Sequence, residues 1–253
     1  MDLARANTIE ASTWSGEVAL LPVGSVEQHG PHAPLGTDVI TATAVADAAV
    51  ERSAEPILRA PAIPVGVAEE HRHFAGTLWV EPDTFREYVG ETVASLASHG
   101  LETIVIVNGH GGNAPALREV GARLTRDEVA TVVPFTWFEA LPDWRSGMGH
   151  AGEWETSIVL ATRPELVRTE RLDDASEAAA DRWGTWTGGT NLAYDTEEFA
   201  PNGVVGDPSD ASEHRGEELL EAATAALLEV IEALRDRSSN RSSDDPSARS
   251  SSN

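Results

Sequence analysis

The chain has 253 residues, no Cys and a formal net charge of −24 from 42 acidic and 18 basic residues. At ~100–200 residues per domain the length suffices for one sizeable core and excludes a disulfide-stapled miniprotein; without Cys there are no thiolate nucleophiles, Cys-bound zinc or iron–sulfur clusters, so any metal must rest on His, Asp and Glu. Every basic residue is Arg, which rules out a P-loop lysine and a Schiff-base lysine, and the acidic excess repels nucleic-acid phosphates and anionic membrane faces.

Residues 17–24 (EVALLPVG) form a short apolar run with the pattern of a buried strand, which empties into the turn-rich EQHGPHAPLGTD. Asp38 is an acidic N-cap candidate for a helix through TATAVADAAV. Residues 57–67 read as a second extended segment broken by Pro61 and Pro64. Over residues 82–98, a Pro near the start, Phe85, Val89, Val93 and Leu96 at helical spacing and Gly100 past the end predict a helix. The β-branched TIVIV at 103–107 is the clearest strand, and GHGGN separates it from a helix around 114–125. Residues 129–137 supply another strand, and the apolar run after Glu155 another helix.

This alternation predicts an α/β fold, a mainly parallel sheet covered on both faces. In such folds ligands collect beyond the carboxyl ends of the strands, where both His-rich loops, residues 27–38 and 108–113, fall. Residues 217–236 form an amphipathic helix. The Ser-, Asp- and Arg-rich residues 237–253 are too polar to offset their ordering entropy and are expected to be disordered, which leaves residues 1–236 as a single domain. No apolar run approaches the ~18–20 residues of a membrane span, and MDLARANTIEAS lacks a signal peptide's apolar stretch, so a cytoplasmic protein is expected. The Lys-free acidic composition also suits concentrated salt, where the screening length falls to ~3 Å at 1 M.

Glu27, His29 and Asp38 share one loop after a strand, and a Glu-x-His pair in extended chain points both side chains the same way. His110 lies in the second strand-end loop between glycines that permit close approach. A third segment, GHAGEWETS, brings His150, Glu153 and Glu155 before an apolar helix. Imidazole and carboxylate without thiolate suit Zn²⁺, Mn²⁺ or Fe²⁺, and several carboxylates together commonly hold two ions bridged by one of them.

LPVGSVEQHGPHAPLGTD, VNGHGGN and HAGEWETS resemble the three signature segments of the creatininase (creatinine amidohydrolase) family, and GDPSDASEHRGEEL extends the similarity over roughly residues 15–235. The resemblance implies a three-layer α/β/α domain, two divalent ions per chain, hydrolysis of a C–N bond in a small-molecule amide, and a homo-oligomer, often a hexamer. Carried over position by position, it implies that Glu27 and His110 ligate one ion, His29 the other, and Asp38 both. Creatinine-hydrolysing members place a further carboxylate two residues after the His of NGH, where this chain has Gly112. Glu153 is the expected replacement, with capping of the following helix as its alternative role.

His150 resembles the family's proton-shuttling histidine, which protonates the departing nitrogen after attack by a metal-held hydroxide. Glu70 and His71 resemble the segment that lines the substrate side of the pocket, beside Gly111 and Gly112. Glu155 is expected to orient ligands, and Asn108 and Asn113 most naturally bind the turn itself, with orientation of a ligand as their functional alternative. His32 is read as structural. Gly111 and Ser146 stand near positions where creatinine hydrolysis relies on aromatic residues, so the pocket is expected to be wider. A formyl or other non-peptide amide is the leading substrate expectation, with creatinine retained and trimming of a redox-cofactor precursor peptide third. A non-catalytic metal-binding scaffold is the alternative from another class.

Overall fold

A computed structural model describes residues 1–243 of the chain. After the short helix α1 (Thr8–Ser12), strand β1 (Val18–Val23) leads into α2 (Thr37–Arg52), β2 (Ile57–Arg59), α3 (Pro82–Ala97), β3 (Thr103–Asn108), α4 (Ala114–Arg126) and β4 (Thr131–Thr136). The four strands are parallel in the order β2-β1-β3-β4, with Val18 opposite Thr103 and Ile104 opposite Val132. Successive strand side chains point to opposite faces, and here both faces are apolar. Leu20, Val105 and Phe135 pack under α2 and the long α8 (Glu213–Ser243), whereas Leu21, Ile104 and Ile106 pack under α3 and α4 with Phe85, Val89 and Leu117. Helices thus cover a parallel sheet on both sides, the three-layer α/β/α arrangement.

The second extended segment shrinks to Ile57–Arg59, because Pro61 and Pro64 withhold ladder donors and only Ile63 bridges back to Val23. Asp38 is not the N-cap of α2. Gly36 holds that place, and Asp38 lies in the first turn, buried and turned inward. Helix α8 runs through Ser243, so residues 237–243 of the segment expected to be disordered are helical; residues 244–253 lie outside the described residues. Between β4 and α8 the chain has little regular structure: α5 (Trp144–Gly147), α6 (Glu153–Thr162), α7 (Leu172–Glu177) and a hairpin of β5 (Trp186–Thr187) and β6 (Thr190–Asn191). Among the described residues no helix is long and apolar enough to cross a membrane.

Candidate metal centre

The chain leaves β1 for β2 on one side and returns through β3 on the other, so the loops after these adjacent strands diverge and open a crevice at their carboxyl ends. Gly109 lets the two loops meet: a Cβ there would lie 2.2 Å from the Asp38 carbonyl oxygen. Asn108 clasps the backbone of His110 from both sides, accepting from its N–H at 3.2 Å and donating to its carbonyl at 2.7 Å. Asn113 ties three loops by donating to the Gly24 carbonyl at 3.0 Å and accepting from the Val67 N–H at 2.8 Å. Both Asn side chains therefore bind turns, and Asn108 orients His110 through its backbone.

In this crevice Glu27, His29 and Asp38 are fully buried beside the nearly buried His110. The Asp38 carboxylate faces two imidazoles with different oxygens: Oδ1 is 3.2 Å from His29 Nε2, and Oδ2 is 3.3 Å from His110 Nδ1. Glu27 Oε1 is 3.1 Å from the same His110 nitrogen. On the far side of each ring a carbonyl fixes the proton, for His29 Nδ1 donates to Glu27 O at 3.1 Å and His110 Nε2 donates to Val67 O at 2.7 Å. Both imidazoles thus turn their remaining nitrogen on carboxylates, the orientation that metal-ligating histidines take.

The inward atoms lack hydrogen-bond partners: both Glu27 oxygens, Asp38 Oδ2 and His29 Nε2 are buried and unsatisfied. Orphaned buried carboxylates are costly unless a cation compensates them. Burial pushes the Glu27 carboxyl up to about 7 against the pull of His110. Burial opposes ionisation of Asp38 too, yet His29 and His110 hold it well below the carboxylate range. The same pairing overrides burial to hold His29 and His110 well above their ordinary values. Protons on these nitrogens compensate the carboxylates where divalent ions would, and the oxygen and nitrogen donors fit such ions.

Across from this pair lies His150, where the third segment places it. Its Nε2 donates to the Gln28 carbonyl at 2.8 Å, and its Nδ1 faces Glu27 Oε1 at 3.7 Å. Burial and the charge of His29 lower its pKa well below the ordinary value, so it stands neutral with a lone pair toward the centre. His71, also buried, stacks on it at 4.4 Å and accepts from the Gln28 side-chain amide at 2.9 Å. Its Nε2–H then faces Glu27 Oε1 at 3.4 Å.

The site departs from expectation at Glu153. Its carboxylate leaves the centre to accept from Arg215 Nε at 3.2 Å, and it is the buried Glu155 that reaches inward, 3.8 Å from His29 Nε2. Residues two apart on a helix project about 200° apart, so only one of the pair can face the crevice. Glu155 also accepts the Ala151 N–H at 2.7 Å at the start of α6, the capping role weighed for Glu153. His29, His150 and Glu155 form one compact set of potential ligand atoms, and Glu27, Asp38 and His110 another.

A cavity of about 860 Å³ opens above the centre over Gly111 and Gly112, between Glu70, His71, Phe138, Trp144 and Trp183. Trp183 stands edge-on to His71 and His150, at 5.7 and 6.0 Å between ring centres. Neither Trp183 nor Gln28 stood out in the sequence: Trp183 lies in an irregular stretch far along the chain, and the Gln28 contacts come from Gly203 and the two histidines. Trp137 and Trp154 pack in the core instead, and His32 holds Thr156 of α6 at 2.9 Å, a structural contact.

A parallel α/β sheet with a buried His and carboxylate cluster at its switch point defines a metal-binding hydrolase. The profile of the family described as Creatininase: Creatinine amidohydrolase matches residues 4–231. The chain belongs to that family and is an amidohydrolase, an enzyme hydrolysing carbon–nitrogen bonds. A mycofactocin precursor peptide peptidase of Mycobacterium ulcerans is 37% identical over 213 residues, covering 81% of this chain and 80% of that protein. The creatinine amidohydrolase of Pseudomonas putida is 28% identical over 246 residues, covering 88% and 92%. A crystal structure of creatinine amidohydrolase (creatininase) superposes with a TM-score of 0.77 at 25% identity, covering 91% of this chain and 96% of that one.

Proposed function

We propose that the chain is a dinuclear amidohydrolase, one divalent ion resting on Glu27, Asp38 and His110 and the other on His29, Asp38 and Glu155. The observation that carries this is Asp38, whose two oxygens face two imidazoles that each donate their far N–H to a backbone carbonyl. Glu155 stands in this reading for the carboxylate absent at Gly112. Zn²⁺, Mn²⁺ and Fe²⁺ all suit such donors. When bound, the ions supply polarisation of the amide carbonyl and a water whose pKa falls to ~7.

The chain's own groups do the rest. His150, kept neutral by burial, takes up a proton at Nδ1 and returns it to the departing nitrogen. The bond from its Nε2 to Gln28 O holds the ring on that line. Trp183 screens His71 and His150 from solvent.

For the substrate, the cavity volume and the bare Gly111, whose Cβ would meet only Phe138 Cζ at 4.0 Å, favour an amide bulkier than creatinine. The 37% identity to the precursor peptide peptidase, against 28% to creatinine amidohydrolase, favours trimming of a precursor peptide. A formylaminopyrimidine nucleotide is the second reading, on the cavity alone. The test incubates manganese-loaded protein with creatinine, that nucleotide and the mycofactocin precursor peptide, with products read by mass spectrometry. Cleavage of the peptide or the formamide is expected, with His150→Ala keeping its metal while kcat falls ~10²–10⁴-fold. No turnover of any of the three, or parental turnover by the His150 variant, sinks the reading.

A further inference from the structure

Glu70 lines the cavity against the metal cluster, outside it and, among the described residues, without a charged partner in hydrogen-bond range. It comes from the 3-10 turn Glu69–His71, and its side chain is only 22% exposed. Its Oε1 lies 3.7 Å from His110 Nε2, but that nitrogen gives its proton to the Val67 carbonyl at 2.7 Å. Its own backbone N–H donates to it, and among the described residues no other residue does. The neighbouring Glu69, in contrast, pairs with Arg72 at 3.2 Å.

Gly112 shows how closely this carboxylate presses on the cavity floor. A Cβ at 112 would lie 2.8 Å from Glu70 Oε1, 2.5 Å from His110 Nε2 and 2.4 Å from the Val67 carbonyl oxygen. Glu70 therefore reaches, from a different loop, into space that a side chain at 112 would claim. It does so on the outer side of the His110 ring, away from the Nδ1 that faces Glu27 and Asp38. That places it beside the metal centre and outside the ligand set, against the open floor of Gly111 and Gly112. An ionised carboxylate only accepts hydrogen bonds, up to about four of them, so the one from its own backbone N–H leaves acceptor capacity turned to the cavity. A donor on a molecule in the cavity would fill that remaining capacity.

We propose that Glu70 is a specificity-determining residue whose carboxylate accepts an N–H of the bound substrate over Gly111 and Gly112, selecting amides that carry a proton on nitrogen over N,N-disubstituted ones. This rests on the amidohydrolase reading above. It extends that reading to the substrate's nitrogen side, which the metal ligands do not contact.

The test needs no knowledge of the natural substrate. Manganese-loaded wild type, Glu70→Gln and Glu70→Met are titrated calorimetrically with acetohydroxamate and N-methylacetohydroxamate, which differ in one N–H, and metal per chain is measured in parallel. Wild type is expected to prefer the N–H compound about tenfold, the size of one charge-assisted hydrogen bond. Glu70→Gln, which keeps an acceptor, retains about threefold or more, and Glu70→Met, of similar size without one, falls below about twofold. Metal content stays at the parental value in both variants. Equal binding of the two compounds to wild type, or an undiminished preference in Glu70→Met, overturns the proposal, the latter showing that bulk rather than an acceptor discriminates. Loss of metal in either variant also overturns it, by making Glu70 part of the ligand set. Failure of the hydrolase reading registers separately, as absence of amide turnover with the hydroxamate preference intact.

Discussion

Between Val18 and Thr136 four strands alternate with helices, and that half supplies Glu27, His29, Asp38 and His110 from strand ends and the first turn of α2. Between β4 and α8 the chain runs through short turns, two short helices, α6 and a two-stranded hairpin, and this half supplies His150, Glu155 and Trp183. The first half fixes its donors twice over, by the sheet and by carbonyls behind each imidazole. The second half brings His150 and the cavity wall on backbone with few ladder bonds. Such a division suits an enzyme whose ligands must be held rigidly while its pocket varies.

The difference breaks most sharply at Asp38. Asp38→Ala removes the one side chain that faces both imidazoles, and we expect elemental analysis to find neither ion, with turnover reduced more than ~10³-fold. Retention of both ions would mean that the rigid half does not depend on a shared carboxylate.

A smaller effect separates Glu155 from Glu153 at the edge of the second half. Glu155→Gln is expected to leave about one ion per chain, whereas Glu153→Gln keeps both and, as loss of a partly exposed ion pair, changes stability by less than ~1 kcal/mol. The reverse metal counts would restore Glu153 as the ligand.

The smallest effect concerns His32, which joins the halves through Thr156. Burial, helped by the charge of His29, lowers its pKa from 6.5 to about 4. The unfolded chain therefore binds more protons between these values, so the stabilisation is complete above pH 6.5 and is lost as pH falls toward 4. From about pH 7 to about pH 5 the loss is on the order of 2 kcal/mol. In metal-free protein, urea midpoints of His32→Gln should fall less over that range than those of the parent. Parallel midpoints would remove His32 as the pH-sensitive joint.

How far the sequence could be read follows the same boundary. TIVIV and EVALLPVG announced β3 and β1 because a strand buried on both faces needs an unbroken apolar run, and the Pro and Gly punctuation placed both loops at strand ends. Glu27, His29, Asp38 and His110 were legible because they crowd two short loops. The direction of Glu153 and Glu155 was not, since it depends on how α6 is rotated against the sheet, and that rotation is set by packing on α8 and by the Ala151 N–H. Nothing in the sequence singled out Gln28, because the Gly203 carbonyl that accepts from its side-chain amide is distant in the chain.

Composition and local pattern by themselves determined the parallel α/β class, the thiolate-free donor chemistry, the two loops rich in His and carboxylate and the family resemblance, because these rest on residue type and near-neighbour spacing. Only the tertiary structure decided which carboxylate of the third segment faces the centre, which imidazole nitrogen is free, and that Glu70 fills the space above Gly112. Each of those is a direction in space between groups remote in sequence, set by which backbone carbonyl takes a proton and which side of a helix is buried.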